Sequence, residues 1–213
     1  MYRIPIETSA RHLHLCREDF EKLFGEGKDL TPVKELSQPG QYLAKERLTV
    51  IGPKGSFENV GIIGPLRKVT QMEISATDAR KLGVPVVIRQ SGDIAGTPGM
   101  RLVSETASID LPEGIMVAKR HIHMTPEQAL SLKVKDNEEV FVVTESYERS
   151  LIYGNVVVRV DKNFRLAMHI DTDEANALTS DSEAFGVVLR LFNGQASYNL
   201  SMWIEELSWG IDR

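Results

Sequence analysis

The sequence predicts a mainly β protein with short helices, organised as two related halves. Two observations predict this class: an Arg-His-x-His motif occurs once in each half, and a candidate β-hairpin follows each copy. The chain has 213 residues, of which 42% are hydrophobic and 26% are charged. This length is sufficient for one large domain or for two small ones with apolar cores.

The histidine motifs are the first elements that the two halves share. They are Arg11-His12-Leu13-His14 and Arg120-His121-Ile122-His123, and they hold four of the five histidines. Residues i and i+2 of a strand project from the same face, so the two imidazoles of each motif are expected to converge. Because neutral imidazole is the commonest metal ligand, the duplication favours metal binding over isolated hydrogen-bonded histidines.

A helix start follows each histidine pair. Thr125 is a candidate N-cap, with Pro126 at the first helical position and Gln128 three residues past the cap. In the first half, Glu18 and Asp19 put negative charge into the first helical turn, where the helix dipole favours it. A strand with paired histidines and a following helix is therefore the shared unit.

A candidate hairpin and a repeated segment come next in each half. The hairpins flank turns after residues 48–51 and after residues 140–144. Residues 59–82 then align without a gap on residues 155–178. Six aligned pairs are identical: Asn59/Asn155, Val60/Val156, Met72/Met168, Ile74/Ile170, Ala79/Ala175 and Leu82/Leu178.

The repeat register identifies a third candidate ligand in each half. Glu73 falls opposite His169, the fifth histidine. Two imidazoles with a carboxylate, and three imidazoles, both occur at catalytic zinc sites that keep a fourth position open. The alternative for Glu73 is an exposed carboxylate at the edge of a strand or helix.

Arg67 lies where the two halves differ, since the same register places Asn163 opposite it. A guanidinium beside a pair of dications is suited to a phosphate group, which it binds through two parallel hydrogen bonds. A solvated surface arginine is the alternative.

Composition excludes several classes of function. The net charge of −5 and the small number of aromatic residues exclude a surface that binds nucleic acid. No apolar run approaches the length of a membrane span, and the N-terminus lacks a secretory signal. The single Cys16 excludes an intrachain disulfide, which fits a reducing cytosol. Its position beside a helix start favours a small buried residue over a nucleophile or ligand.

The sequence closely resembles the PduL-type phosphate acyltransferases, also called phosphate propanoyltransferases. The resemblance covers about residues 1–180. It rests on Arg-His-Leu-His-Leu at 11–15, Leu-Thr-Pro-Val-Lys-Glu-Leu-Ser-Gln-Pro-Gly-Gln at 30–41, Gly-Pro-Leu-Arg-Lys-Val-Thr-Gln-Met-Glu at 64–73, Ser-Gly-Asp at 91–93, Arg-His-Ile-His-Met-Thr-Pro-Glu at 120–127 and Met-His-Ile-Asp-Thr-Asp-Glu-Ala-Asn at 168–176. It implies two small related β-barrels with the active site at their interface.

The resemblance also implies two zinc ions and an acyl transfer between coenzyme A and inorganic phosphate. One zinc would be bound by His12, His14 and Glu73 and the other by His121, His123 and His169. Arg67 would contact the phosphate, which attacks the acyl group directly. Cobalt, nickel or iron are possible substitutes for zinc. Ser9 and Ser91 are candidate hydrogen-bonding neighbours of phosphate or coenzyme A, with ordinary polar loop residues as the alternative.

The family implies a domain layout in which the N-terminal strand completes the C-terminal barrel. Residues 11–118 would form the inserted first barrel, and residues 1–10 with 119–180 the second. Residues 181–213 lie beyond the resemblance. The hairpin signal Asn193-Gly194 and helix-like spacing around Trp203 predict a hairpin and a helix there, as a cover for a barrel edge or a dimer contact.

Three other functions compete with phosphate acyl transfer. A dizinc thioesterase or hydrolase would use the same ligands to generate hydroxide. A non-catalytic zinc-binding double-barrel protein is a second alternative, although structural zinc sites are usually rich in cysteine. A double-barrel interaction protein without metal is the third. We further expect a cytoplasmic homodimer without an N-terminal extension that targets bacterial microcompartments.

Overall fold

The computed structural model describes residues 3–144, 149–178 and 184–189. Strands dominate, and the helices are short. The strands are β1 (Ile4–Ser9), β2 (His12–His14), β3 (Pro32–Glu35), β4 (Tyr42–Ile51), β5 (Ser56–Gly64), β6 (Gln71–Glu73), β7 (Ile88–Arg89), β8 (Met100–Val103), β9 (Ser108–Leu111), β10 (Ile115–Ala118), β11 (His121–Met124), β12 (Glu139–Thr144), β13 (Ile152–Val160), β14 (Ala167–Asp171) and β15 (Ala184–Leu189). The helices are α1 (Arg17–Phe24), α2 (Ala76–Leu82), α3 (Pro126–Leu132) and α4 (Thr172–Ala175).

Six strands form a closed barrel, the second barrel, in the order β1, β14, β11, β13, β12, β15. Strand β1 pairs in parallel with β14 and antiparallel with β15. Strand β15 belongs to the stretch 181–213 that the sequence analysis treats as an extension, and it pairs with both β12 and β1. The hairpin and helix predicted around Asn193-Gly194 and Trp203 lie outside the described residues.

The other nine strands form a curled half-barrel, the first barrel. Eight of them follow the order β7, β10, β6, β2, β5, β4, β8, β9, and β3 pairs with β4. The predicted class, a mainly β protein with two small barrels and short helices, is thereby confirmed.

The two histidine motifs occupy equivalent inner strands. Strand β2 lies between β5 and β6, and β11 lies between β13 and β14. In each strand the apolar residues are completely buried in a core: Leu13 in the first barrel, and Ile122 and Met124 in the second. Because neighbouring residues of a strand face opposite sides, the histidines project away from both cores.

The helices begin where the sequence places them. Thr125 and Gln128 form a capping box at α3, with Pro126 in the first turn, as predicted. Glu18 and Asp19 lie in the first turn of α1, also as predicted. No helix in the described ranges is long and apolar enough to span a membrane.

The predicted hairpin of the first half joins β4 to β5 and packs against the end of α2. The Gly52 N–H donates to the carbonyl of Gly55, which closes the turn. A Cβ atom at Gly52 would lie 2.6 Å from the carbonyl oxygen of Leu82, and one at Gly55 would lie 2.5 Å from that of Lys81. The close approach of α2 therefore requires glycine at both positions.

Candidate metal centre and active site

The two histidine pairs face one cavity, which lies between the barrels. This cavity has a volume of about 530 Å³ and is lined by residues of both sheets. His12, His14, His121, His123 and His169 all line it, together with Glu73, Arg67, Ser9 and Ser91. Every site residue that the sequence analysis selects therefore borders the same space.

His12, His14 and Glu73 form a tight cluster at the first barrel. Antiparallel pairing of β2 with β6 places His12 directly opposite Glu73. The two Nε2 atoms are 3.2 Å apart, and carboxylate oxygens of Glu73 lie 3.7 Å from His12 Nε2 and 3.9 Å from His14 Nε2. Two Zn–N bonds at the tetrahedral angle would span about 3.3 Å. The separation of the imidazoles therefore fits one bound metal ion.

Backbone carbonyls fix both imidazoles of this cluster in the orientation that a metal needs. Nδ1 of His12 donates to the carbonyl of Ala10 at 2.8 Å, and Nδ1 of His14 donates to that of Ile63 at 2.9 Å. A carbonyl only accepts, so Nδ1 carries the proton in each neutral ring. The lone pairs of the two Nε2 atoms then point to a common position, as in metal sites whose ligands are oriented by outer hydrogen bonds.

The charges of the cluster suit a divalent cation. Burial lowers the pKa of His14 to about 3, and the positive charges of His12 and Arg67 act in the same direction. Burial alone would raise the pKa of Glu73, but His12 and His14, followed by Ser91 and Arg67, lower it to about 2. At neutral pH the site therefore offers an ionised carboxylate and a neutral imidazole, both of which bind zinc.

His121, His123 and His169 meet in the same way at the second barrel. Strand pairing places His121 opposite His169, and their rings stack with centroids 5.4 Å apart. The ring of His123 lies 4.6 Å from that of His121 and 4.9 Å from that of His169. Burial is the largest cause that lowers the pKa of His121 to about 4 and of His123 to about 2, so these imidazoles are neutral.

Two nitrogen atoms of this second set are buried and lack a hydrogen-bond partner among the described residues. They are Nδ1 of His123 and Nε2 of His169. Buried polar atoms in proteins are almost always paired, so these two nitrogens are suited to bind a ligand such as a metal ion. The set is nevertheless looser than the first. Within the described residues, only His12, His14 and Glu73 bring three donor atoms within 4.8 Å of one another.

Ser91 connects Glu73 to Arg67. Its hydroxyl donates to Glu73 Oε1 at 2.6 Å and accepts from Arg67 Nη1 at 2.9 Å. Gln71 Nε2 donates to both Ser91 Oγ and Glu73 Oε1, at 2.8 and 2.7 Å. The structure therefore places Ser91 as the residue that fixes the carboxylate and the guanidinium relative to each other. Ser9 lies beside the same cluster, with its hydroxyl 3.5 Å from His12 Nδ1.

Several charged residues of the cavity are absent from the set predicted from the sequence, among them Arg159 and Glu7. Arg159 on β13 pairs in register with His123, and Glu7 on β1 pairs in register with His169. Glu7 Oε2 lies 3.6 Å from His169 Nε2 and accepts a hydrogen bond from Ser37 of the first barrel. The sequence contains a pattern that marks each of them. Arg159 interrupts the apolar run Val156–Val160, and Glu7 alternates with the apolar residues of β1.

Comparison with known proteins points to one family. The phosphate propanoyltransferase family model matches residues 5–181. Among relatives named phosphate propanoyltransferase, that of Thermotoga maritima is 54% identical over 174 residues, which cover 82% of this chain and 83% of the relative. That of Salmonella typhimurium is 51% identical over 179 residues, 84% and 85% of the two chains. That of Leptotrichia buccalis is 55% identical over 172 residues, 81% of each.

The two-barrel fold, its shared cavity and these relatives together define an enzyme of the acyltransferase class. The resemblance seen in the sequence is confirmed, and the chain belongs to the phosphate propanoyltransferase family.

Proposed function

We propose that this enzyme interconverts a short-chain acyl-coenzyme A and inorganic phosphate with an acyl phosphate and coenzyme A, at a site that binds two zinc ions. The observation that carries the proposal is that two sets of three ligands and Arg67 border one cavity between the barrels. A cavity at such an interface can bring two substrates together.

The residues that would hold the metal ions are His12, His14 and Glu73 for one zinc, and His121, His123 and His169 for the other. The converging donor atoms of the first set support this assignment, as do the two ring nitrogens of the second that have no hydrogen-bond partner among the described residues. When bound, zinc would polarise the acyl carbonyl and offset the negative charge of phosphate.

Arg67 would bind and orient the phosphate. Its guanidinium is partly buried at the cavity wall, and Ser91 holds it through Nη1. Burial lowers its pKa, Glu73 raises it and Arg159 lowers it again, but an arginine remains charged at neutral pH. Arg159 adds a second positive charge, and within the described part of the chain its side chain has no hydrogen bond or ion pair. Two guanidinium groups suit a phosphate dianion.

The proposed reaction is a direct displacement. A phosphate oxygen attacks the thioester carbonyl carbon, the carbon–sulfur bond breaks, and coenzyme A leaves as a thiolate. Arg67 would keep the phosphate close to the thioester by binding it in the cavity. No enzyme thiol is required. Cys16 does not border the cavity, and its Sγ donates to Asp19 Oδ2 at 3.2 Å.

The proposal includes the domain division implied by the family: residues 11–118 as one unit, and residues 1–10 with 119–180 as the other. The pairing of β1 with β14 supports it. Strand β15 would add residues 184–189 to the second unit, since it pairs with β1 and β12.

A thiol-release assay with acetyl- and propanoyl-coenzyme A, with and without phosphate, tests the proposed activity. We expect thiol release to require phosphate and to yield acyl phosphate. A dizinc hydrolase would release the thiol without phosphate, which would contradict the proposal. Zinc content of the purified protein, measured by elemental analysis, should be two per chain.

Replacing Arg67 with Ala in that assay tests its role. We expect kcat/KM for phosphate to fall about a hundredfold or more, because removal of one preorganised charged donor costs that much in comparable sites. Arg17→Ala is the matched control, since Arg17 lies on α1 and pairs with the exposed Asp29. If Arg67→Ala kept the phosphate kinetics of the wild type, the assignment of Arg67 would be wrong.

A further inference from the structure

Each Arg-His-x-His motif begins with an arginine to which the proposed chemistry gives no role. In the first barrel, Arg11 makes two parallel bonds to Asp78: Nε to Oδ2 at 3.0 Å and Nη2 to Oδ1 at 2.9 Å. Its guanidinium also lies over the ring of Phe57, 4.3 Å from the ring centre. We call Arg11, Asp78 and Phe57 the first clamp.

The second motif has a related but looser arrangement, with one ion pair instead of two parallel hydrogen bonds. Arg120 Nε lies 3.2 Å from Glu174 Oε1, and its guanidinium lies 5.4 Å from the centre of the Tyr153 ring. The Tyr153 hydroxyl donates to the backbone carbonyl of Glu174 at 2.7 Å, which adds a further contact. We call Arg120, Glu174 and Tyr153 the second clamp.

The acids and aromatic rings of the two clamps follow the register of the internal repeat, whereas Arg11 and Arg120 are 109 positions apart. Asp78 and Glu174 are separated by the same 96 positions as the aligned segments, and so are Phe57 and Tyr153. In both halves the chemistry is kept although the residue types differ: an acid receives the guanidinium, and an aromatic ring supports it from one face. Two independent surface ion pairs would have no reason to share this register.

The position of the acid explains what a clamp can do. Asp78 lies five residues after Glu73, and Glu174 lies five residues after His169. Each acid is in the first turn of the helix that follows the third ligand, and its backbone N–H donates to the helix cap, Ser75 or Asp171. The arginine immediately precedes the first histidine of the pair. Each clamp therefore ties the strand with two ligands to the segment with the third.

We propose that Arg11 and Arg120 are positioning residues, each of which sets the separation between the paired histidines and the third ligand of its own metal site. The proposal rests on the proposed metal sites. At the first clamp, a planar guanidinium with two bonds and an aromatic ring beside it fixes orientation more tightly than a single charge does.

The exposure of the arginines argues that the effect is mainly local. The Arg11 side chain is 45% exposed and that of Arg120 is 30% exposed, whereas those of Asp78 and Glu174 are 7% and 22% exposed. Because the guanidinium ends reach solvent, each pair adds modestly to the free energy of unfolding, and loss of Arg11 also leaves the buried carboxylate of Asp78 without its partner. A metal site responds to much smaller changes, because its ligands must meet at one point.

The test uses full-length protein in which only one metal site remains. His121→Ala with His123→Ala leaves the first site, and His12→Ala with His14→Ala leaves the second. Zn²⁺ affinity is measured by competition with a chromophoric chelator. We expect Arg11→Gln to weaken Zn²⁺ binding about tenfold at the first site and to leave the second unchanged. Arg120→Gln should have the opposite selectivity.

Two further variants test the geometry. Arg11→Lys should fall between wild type and Arg11→Gln, because an ammonium group cannot make the two parallel bonds. Asp78→Asn combined with Arg11→Gln should weaken Zn²⁺ binding no more than Arg11→Gln alone, since both changes break one clamp. Arg17→Gln, remote from the cavity, should leave both sites unchanged.

The outcomes separate this proposal from the function on which it rests. If the single-site proteins fold but neither binds Zn²⁺, the metal sites are wrong and the clamps have no ligands to position. If they bind Zn²⁺ and the arginine variants match wild type, or weaken both sites equally, only the positioning role is overturned. Thermal unfolding of each variant, measured in parallel, should show shifts of no more than a few degrees.

Discussion

His14, His121 and Glu73 give the metal-free protein a stability that depends on pH. The pKa of His14 is about 3 and that of His121 about 4, both lowered chiefly by burial from 6.5. Between pH 6.5 and these lowered pKa values, the unfolded chain binds protons at both histidines that the folded chain does not bind, so acid favours unfolding. Glu73 acts in the same direction: its pKa is about 2 instead of 4.5, so its stabilisation is lost as pH falls below 4.5.

We therefore expect chelator-treated protein to lose stability continuously as pH falls from about 7 to about 4. Urea denaturation at several pH values measures the change in the free energy of unfolding. His14→Gln, which cannot gain a proton, should show a shallower slope over the same range. A wild-type profile that stays flat would contradict the neutral state of the buried histidines.

Side-chain identity alone located the histidines but not their neighbours. Glu73 is predictable because the alignment of the two halves places it opposite His169. The hydrogen bonds of Ser91 to Glu73 and Arg67 could not be read in this way. Glu73 and Ser91 are 18 positions apart, and the path of the segment between them, which contains α2 and β7, brings them together. No short-range pattern encodes that path.

At the level of elements, the β4–β5 hairpin depends on its contact with α2. Gly52→Ala would place a methyl group within 2.6 Å of the Leu82 carbonyl oxygen, so either the hairpin or the helix must shift. We expect the free energy of unfolding to fall by about 1–3 kcal/mol, measured by chemical denaturation. Ser56→Ala, an exposed neighbour at the start of β5, should change it by less than about 0.5 kcal/mol.

Elements with local signals were predictable, and elements defined by distant pairing were not. The Thr125 cap and the two hairpins have short-range signatures of turn and cap residues. Strand β10 has none that reveals its parallel partners, β6 and β7. The sequence predicts an extension where β15 lies, because the apolar run of β15 carries no information about its pairing with β1. Pairing across such separations is set by the packed barrel as a whole.

For the whole molecule, Gln38 provides a direct link between the barrels. Its side chain is 2% exposed, donates to the carbonyl of Arg165 at 2.9 Å and accepts from the Arg165 N–H at 3.2 Å. Phe164, the preceding residue, lies with its ring 4.3 Å from that of His123. The link therefore connects the loop after β3 to the wall of the second ligand set.

Replacing Gln38 with Ala should leave both backbone groups of Arg165 unpaired and lower the free energy of unfolding by about 1–3 kcal/mol. Gln90→Ala is the matched control, since the Gln90 side chain makes no hydrogen bond within the described ranges. Denaturation of both variants gives the comparison. A Gln38→Ala protein as stable as the Gln90→Ala protein would show that the barrels are held together by other contacts.

The predicted homodimer remains a prediction that mass in solution can test.

Strand β1 has a consequence for the order in which the two proposed metal sites assemble. Residues 6–9 pair with residues 168–171, so the second barrel closes only when segments about 160 positions apart have met. Contacts of such high sequence separation form slowly, because the intervening chain must lose its freedom first. His12, His14 and Glu73 all lie within the first 73 residues and need no such closure. During synthesis the glutamate-containing set can thus take shape early, whereas the barrel that carries the three histidines closes only after residues 168–171 have joined β1.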